Sequence, residues 1–542
     1  MGNISSQIQP SEVFRPFNLF ILFVTLYGVE TARKFTKARA ALARVGNMLG
    51  PRAIFGPYSL LGKILPPIPY VKLSSEIHFG EKYAFHQKYG CDVIADGYIF
   101  DPNQVYLRIA DAAVVKQLTT NRIEFPKPLK MYKSTSLYGT NVVATEFDEW
   151  KRHRRIVAPS FNERNNRLVY EETARISMEL LDVWSANGEN ETFKVDNVVT
   201  FTSRLALMVI SAAGFGYRFG WDEMKDPPAG HQMTFPKALS TVLSNFILRL
   251  ILSDGILKLW KGGRNVLTAF KELRVHMREM IEERRQSAID GSHGQADLFT
   301  NLINGTSLEE DEKTIDQLTD EELMGNVFIF LFAVHETTAN SMGFTLALLA
   351  THQDIQENAF QELRGIVPEG ERPAYTHIVK WAYGLAVTYE SLRMYPPVTG
   401  FPKYAAEDTV IVTTSADGKN TPITIPVPKG TDLLINLAAL HYNPKYWDEP
   451  EVFRPERFLG NYNRDAFMPF AAGPRGCIGR RFSELEALTF LAHLLLNYRF
   501  EGTPLNDKET PAQMKERLLQ WSQGPITLCP KRIPLTFTRR RK

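Results

Sequence analysis

Over most of its length the chain repeats apolar positions with the 3.6-residue period of a helix. Stretches near 146–158, 163–185, 195–214, 264–287, 321–352 and 379–394 carry this pattern and are expected to be helices with a buried face. From Val93 to Val115 the period changes to an alternation broken by turn residues, which predicts strands. Ser287 to Glu312, rich in Gly, Ser, Asn and acid, reads as a surface loop around a short helix. The fold class expected is mainly α with small β-sheets, and no internal repeat interrupts it.

Two stretches near the start depart from this pattern. Phe17 to Val29 (FNLFILFVTLYGV) is almost wholly apolar. As a helix its roughly 13 residues span about 20 Å, less than the ~30 Å hydrocarbon core of a bilayer. Arg33, Lys34, Lys37 and Arg39 follow, a placement that keeps the body on the cytosolic side of a membrane. No small-residue cleavage site stands behind the run, so it reads as a retained anchor rather than a removed signal, the plain alternative being a buried helix. Gly2 and Ser6 in MGNISS fit an acylation pattern that would reinforce a short anchor. Pro51 to Tyr70 is dense in Pro and Gly and reads as a stiff connector. The expected organisation is residues 1–50 as anchor and basic flank, 51–70 as connector and 71–542 as one catalytic domain.

Charge adds an exclusion. Lys and Arg number 63 and Asp and Glu 60, a net of +3, which gives no reason to expect a nucleic-acid partner. Arg539, Arg540, Arg541 and Lys542 form a solvated or membrane-facing end. The three cysteines, Cys91, Cys477 and Cys529, lie far apart and form no metal or disulfide framework, which fits a reducing compartment.

Cys477 nonetheless has an unusual setting. In PFAAGPRGCIGRRF, glycines at 473, 476 and 479 let a flat ligand approach the backbone. The amphipathic segment RRFSELEALTFLAHLLL places the cysteine just before a helix start, whose free N–H groups favour a negative sulfur. Arg475 adds positive charge. A depressed thiol pKa is expected, leaving two chemistries open: a nucleophile, or a metal–thiolate bond.

Phe470, Gly473, Arg475, Cys477 and Gly479 match F-x-x-G-x-R-x-C-x-G. This resembles the heme-binding signature of the cytochrome P450 family, which would make Cys477 the iron ligand. Three further motifs follow the family's order. In TYESLRMYPP, Glu390 and Arg393 share a helix face beside an apolar stripe. With Arg457 of FRPERF they resemble the interlocked Glu–Arg–Arg set that braces the cysteine loop. In EWKRHRRIVAPSF, Trp150 and Arg154 match W-x-x-x-R, a heme-propionate contact in the family. Lys151, Arg152 and Arg155 read instead as a solvated basic face, available to an acidic electron donor. In the segment 321–352, Ala333 to Thr338 (AVHETT) resembles A-G-x-[DE]-T-T, with Glu336 and Thr337 in the proton-relay positions. Val334 stands where glycine is usual and adds bulk beside the oxygen site.

The resemblance covers roughly residues 60 to 535 and is to microsomal members, in overall style fungal ones. It implies heme b between the long helix and the cysteine loop, and a monooxygenase that inserts one oxygen atom from O2 into a lipophilic molecule such as a terpenoid, sterol, fatty acid or aromatic. It implies electrons from a separate NADPH-cytochrome P450 reductase, with cytochrome b5 as an auxiliary donor. It implies residence in the endoplasmic reticulum membrane, the catalytic domain facing the cytosol, and a role in secondary metabolism or xenobiotic oxidation. Phe332, Ala333, Val334, Val398, Thr399 and Phe401 are expected to line the substrate pocket, with Pro236–Leu252 as a membrane-touching roof. The alternatives are a heme-thiolate isomerase or dehydratase that needs no reductase, and a non-enzymatic heme sensor or lipid-binding protein.

Overall fold

The computed structural model describes residues 16–56, 79–101, 104–186, 191–221, 226–289, 302–303, 317–415, 421–524 and 526–540. Gly2 and Ser6, most of the 51–70 connector, most of the Ser287–Glu312 loop and the last two basic residues lie outside them. The chain forms two compact units, one of residues 1–126 and 400–440, the other of 127–399 and 441–542.

The first unit opens with α1 (Pro16–Arg44). Its N-terminal half leaves Leu19 to Val24, Leu26, Tyr27 and Val29 exposed, whereas Leu42 and the following Val45 are buried against the unit's sheet. Among the described residues no helix is long and apolar enough to cross a membrane. The apolar run is helical as expected, but charges from Glu30 onward interrupt it before a bilayer-spanning length is reached.

The sheet has five strands: β1 (Arg52–Ala53), β2 (Val93–Tyr98), β3 (Val105–Ile109), β5 (Gly400–Tyr404) and β8 (Asp432–Asn436), in the order β1-β2-β3-β8-β5. β6 (Thr409–Thr414) and β7 (Pro422–Val427) form a separate antiparallel pair. The strand prediction for Val93–Val115 holds only to Ile109. Ala112 begins α2 (Ala112–Thr120), because the Asp111 carboxylate accepts hydrogen bonds from the Ala113 and Val114 N–H groups and caps it.

The second unit is helical. It contains α3 (Phe147–Val157), α4 (Glu163–Ala186), α5 (Val198–Val209), α6 (Phe235–Ile251), α7 (Lys261–Ile289), α8 (Asp320–Thr351), α9 (Ala382–Met394) and α10 (Arg480–Asn497). Five of the predicted helices match within about three residues at each end; the sixth, 195–214, is α5 extended by a π-turn over Ile210–Gly214. Small sheets complete it: β4 (Thr192–Val195), β12 (Leu535–Arg539) and β9 (Tyr498–Gly502), and the pair β10 (Trp521–Gln523) and β11 (Leu528–Pro530). The unit's core lies along α8, whose 32 residues run about 48 Å between α5, α9 and α10. A capping box closes its start: Thr319 Oγ1 accepts from Glu322 N (3.2 Å), and Glu322 Oε2 accepts from Thr319 N (2.9 Å).

Candidate active site

The Cys477 loop is closed by its own backbone. Cys477 N–H donates to Phe470 O (2.8 Å), and Gly476 N–H to Gly473 O (3.0 Å). Gly473 has φ +65°, which excludes most side chains, and a Cβ on Gly476 would press against Gly473 O at 3.2 Å. Gly479 ends the loop and α10 begins at Arg480. The thiol is accessible, yet protein surrounds it on most sides. That loss of solvent pushes its pKa up, against the opposing pull of the Gly479 N–H and the cations Arg154 and Arg480. The expectation of a depressed thiol is therefore corrected: burial outweighs the helix start.

Glu390 and Arg393 of α9 are fully buried and paired through two bonds, Nε–Oε2 at 2.7 Å and Nη2–Oε1 at 2.8 Å. Arg457 Nε donates to the same Oε1 (3.3 Å), as does Arg454 N (3.0 Å). The three residues picked from the sequence thus meet on one carboxylate. The path from them to the cysteine loop runs through a residue that sequence reading missed. Arg393 Nη1 donates to His441 O (2.8 Å), His441 Nδ1 lies 3.1 Å from Arg393 O, and His441 Nε2 accepts from Met468 N (3.0 Å), two residues before Phe470. Burial lowers His441 to about 3, so its ring is neutral and the Nδ1–H tautomer satisfies both contacts. Tyr389, read from the sequence only as part of an apolar stripe, forms a second brace. Its hydroxyl donates to Glu484 Oε1 (2.6 Å) and accepts from Arg480 Nη2 (2.6 Å) on the first turns of α10. The i,i+4 spacing of Arg480 and Glu484 was the available signal.

α3 brings Trp150 and Arg154 to the same loop. Arg154 Nη1 donates to Gly476 O (3.3 Å). The Arg475 guanidinium lies 4.3 Å over the buried Trp150 ring and pairs with Glu146 Oε2 at 2.7 Å. Glu146 was not anticipated; no pattern in the sequence singles it out. Lys151 is exposed as expected, but Arg152 is a correction. It pairs with Glu322 and donates to Gln317 O (2.6 Å), joining α3 to the start of α8.

In α8, Leu323–Phe332 and Thr338–Ala350 are buried, while Ala333 is exposed and Val334, His335, Glu336 and Thr337 are half-buried. A helix that is core at both ends is open at its centre. Two contacts at the borders of this stretch tie α8 to α10 and, through Phe161, to the end of the cysteine loop. Thr338 Oγ1 donates to Ser483 Oγ (3.3 Å), and Phe161 packs edge-on against Phe330 (5.6 Å) and lies beside Gly479. Glu336 and Thr337 diverge. Thr337 Oγ1 donates to Ala333 O (2.6 Å) on its own helix. Glu336 Oε1 accepts from Thr527 Oγ1 (2.5 Å), and burial raises its pKa against that bond. Asn340 Nδ2 completes this network to Thr527 (3.3 Å) and Cys529 Sγ (3.4 Å).

A cavity of about 600 Å3 lies beside Glu336, with Ser203, Arg204 and Leu207 of α5, Phe219, residues of α6 from Pro236 to Ser244, and His335 and Cys529 on its walls. The roof segment expected from the sequence lines it. Phe332 does not: it packs in the core against Phe328 and Phe246, each with ring centroids 6.0 Å away.

A family model described as cytochrome P450 matches residues 85–530. The chain belongs to the cytochrome P450 family. It is 44% identical over 529 residues to cytochrome P450 monooxygenase 124 of Postia placenta, covering 96% of this chain and 100% of that one. It is 29% identical to cytochrome P450 monooxygenase ORF6 of Penicillium roqueforti, covering 89% and 90%. Among solved structures, the cytochrome P450DA heme domain has the same fold, with a TM-score of 0.70 at 22% identity over 91% of this chain and 99% of that one. Like these P450 monooxygenases the protein is an oxidoreductase, and its cofactor is heme with an axial cysteine thiolate. The residues described suit that group. An accessible thiol stands on a glycine-cleared loop, the Arg154 guanidinium lies beside that loop and can serve a carboxylate, and the centre of α8 from Ala333 to Thr337 is left uncovered.

Proposed function

We propose that the protein inserts one oxygen atom from O2 into a lipophilic small molecule, of terpenoid, sterol, fatty-acid or aromatic type, in secondary metabolism or xenobiotic oxidation. The observation that carries the reading is the Cys477 loop, an accessible thiol braced from behind by Glu390, Arg393, Arg457 and His441. In this reading Cys477 is the axial ligand, with Phe470 and Gly479 shaping its loop and Trp150, Arg154 and Arg475 facing the heme carboxylates. The thiolate-ligated heme supplies oxygen activation.

The chain's own residues do the rest. Cys477, whose pKa burial holds up, would hold the iron as a thiolate after losing its proton to solvent, and the Gly479 N–H, Arg154 and Arg480 would stabilise the anion. Glu336, whose pKa burial raises, takes a proton from solvent and passes it from its carboxyl oxygen to a water. Thr337 turns its hydroxyl from Ala333 O to hold a water. Val334 narrows access to that water. Leu207, Phe219, Leu239 and Leu243 in the cavity wall supply apolar surface for the substrate. Electrons come from NADPH through a separate flavoprotein reductase docking on a basic face that includes Lys151, with cytochrome b5 as an auxiliary donor.

The protein resides in the endoplasmic reticulum membrane with its catalytic domain, residues 71–542, towards the cytosol. Supporting this are the exposed apolar half of α1 and the exposed Ile247, Leu250, Ile251, Ile256, Leu259 and Trp260 around the end of α6.

Turnover by the purified enzyme with reductase and NADPH, on substrates chosen by spin-state titration, tests the reading. Oxygenated product that depends on both is expected, and product formed without either would contradict it. In the same assay Thr337→Ala is expected to raise peroxide release relative to product. Unchanged coupling would remove Thr337 from the proton path.

A further inference from the structure

Outside the heme region, three side chains converge where the segment leading into α6 meets α7. His276 and Glu279 stand three apart on α7 and therefore share a face. His231 comes from the segment before α6. One donor atom from each lies within 4.8 Å of the others: His231 Nε2, His276 Nδ1 and a Glu279 carboxylate oxygen. His231 Nε2 is 3.0 Å and His276 Nδ1 4.0 Å from the same atom, Glu279 Oε2. The two rings are nearly parallel, with centroids 3.9 Å apart.

The nitrogens turned away from this point are already engaged. His231 Nδ1 meets Glu272 Oε2 at 3.0 Å, and Glu272 is further fixed by the Gln232 N–H (3.1 Å). His276 Nε2 meets Met233 O at 3.0 Å. A carboxylate behind one imidazole and a carbonyl behind the other is the outer arrangement that fixes the tautomers of metal-bound histidines and directs their free lone pairs inward. Both imidazoles are largely buried, while Glu279 is 58% exposed, so the point where the three meet is open to an ion from solvent.

We propose that His231, His276 and Glu279 bind a divalent transition-metal ion of the zinc class, with water at the remaining position, and that the ion staples the entry to α6 onto α7. Two imidazoles and one carboxylate are a ligand set that zinc accepts at bond lengths of about 2.0–2.2 Å. Binding sets the donors about 3.3–3.5 Å apart, the separation those bonds imply in a tetrahedral site, which widens the 3.0 Å His231–Glu279 contact and closes the 4.0 Å His276–Glu279 gap. The ion takes the place of the direct contact between His231 Nε2 and Glu279 Oε2, any proton held there passing to solvent. Its consequence lies at the cavity: Thr234 caps α6 just after Met233, and Thr234, Pro236, Lys237, Leu239 and Ser240 line the wall. A metal at this position restrains the roof from its N-terminal end and leaves the heme ligands untouched.

The test uses the full-length, heme-loaded protein, treated with EDTA and titrated with zinc chloride by calorimetry. One saturable site per chain is expected, weakened at least about tenfold in each of His231→Gln, His276→Gln and Glu279→Gln, and also in Glu272→Gln. Zinc is expected to raise the unfolding temperature of the parent and not of the Glu279→Gln variant. Glu279 is exposed, so that variant keeps its fold and decides the matter even where a histidine variant does not; an unchanged reduced-plus-CO spectrum confirms the fold in each. Absence of a saturable site in the parent, or parent-like zinc binding by Glu279→Gln, would overturn the proposal.

Discussion

Glu390 shows how a single side chain organises a site it never touches. Its two oxygens take two bonds from Arg393, one from Arg457 and one from the Arg454 backbone, all in a setting closed to water. Neutralising it leaves two guanidiniums facing each other without a counter-charge. Glu390→Gln is expected to destabilise the protein by about 3–5 kcal/mol, the usual consequence of breaking a buried pair, and to lower heme occupancy as the Cys477 loop loosens. Denaturant unfolding and the heme-to-protein absorbance ratio check this. Parent-like values in both would mean that the brace is dispensable. Glu390, Arg393 and Arg457 were legible in the sequence because their motifs have fixed spacing. His441 and Glu146 were not, because each acts through a tertiary contact that no local pattern records.

Elements were legible where burial alone decides them. A helix packed on one side must repeat its apolar positions every 3.6 residues, so the long helices could be read with their ends. Two kinds of feature escaped. The first is the helix start at Ala112, where a polar side chain overrides an apolar run that suits a strand equally well. The second is close approach between distant backbones. A Cβ on Gly325 in α8 would lie 2.4 Å from Gly139 O, and nothing in the sequence near Gly325 reports that neighbour.

The start of α8 carries its own test. Glu322 caps the helix while pairing with Arg152 of α3, and these partners lower its pKa from 4.5 to about 2 despite the burial that opposes them. An acid whose folded pKa is depressed contributes stability that is complete above its unfolded value and is lost as pH falls through the folded one. Glu322 therefore stabilises the fold above about pH 4.5 and ceases to do so by about pH 2. Glu322→Gln is expected to cost about 2 kcal/mol at neutral pH and to shrink the loss of stability across that acid range. Urea midpoints at a series of pH values measure both effects. An acid limb identical to the parent's would show that the pair contributes nothing.

At the scale of the whole molecule, two apolar surfaces remain uncovered: the first half of α1 and the residues around the end of α6. Neither α1 nor any other helix among the described residues is long and apolar enough to cross a membrane. Flotation with liposomes is expected to recover the full chain with the lipid, and to recover a chain lacking residues 1–29 with it less completely. Equal recovery of the two would exclude α1 as an anchor. The outcome with liposomes does not alter the central assignment, that the accessible thiol on the glycine-cleared loop holds the heme iron. The reduced-plus-CO absorption spectrum tests it most directly. The parent is expected to show the red-shifted Soret band of a thiolate-ligated heme, and Cys477→Ala to lose it. Persistence of that band in Cys477→Ala would contradict the account.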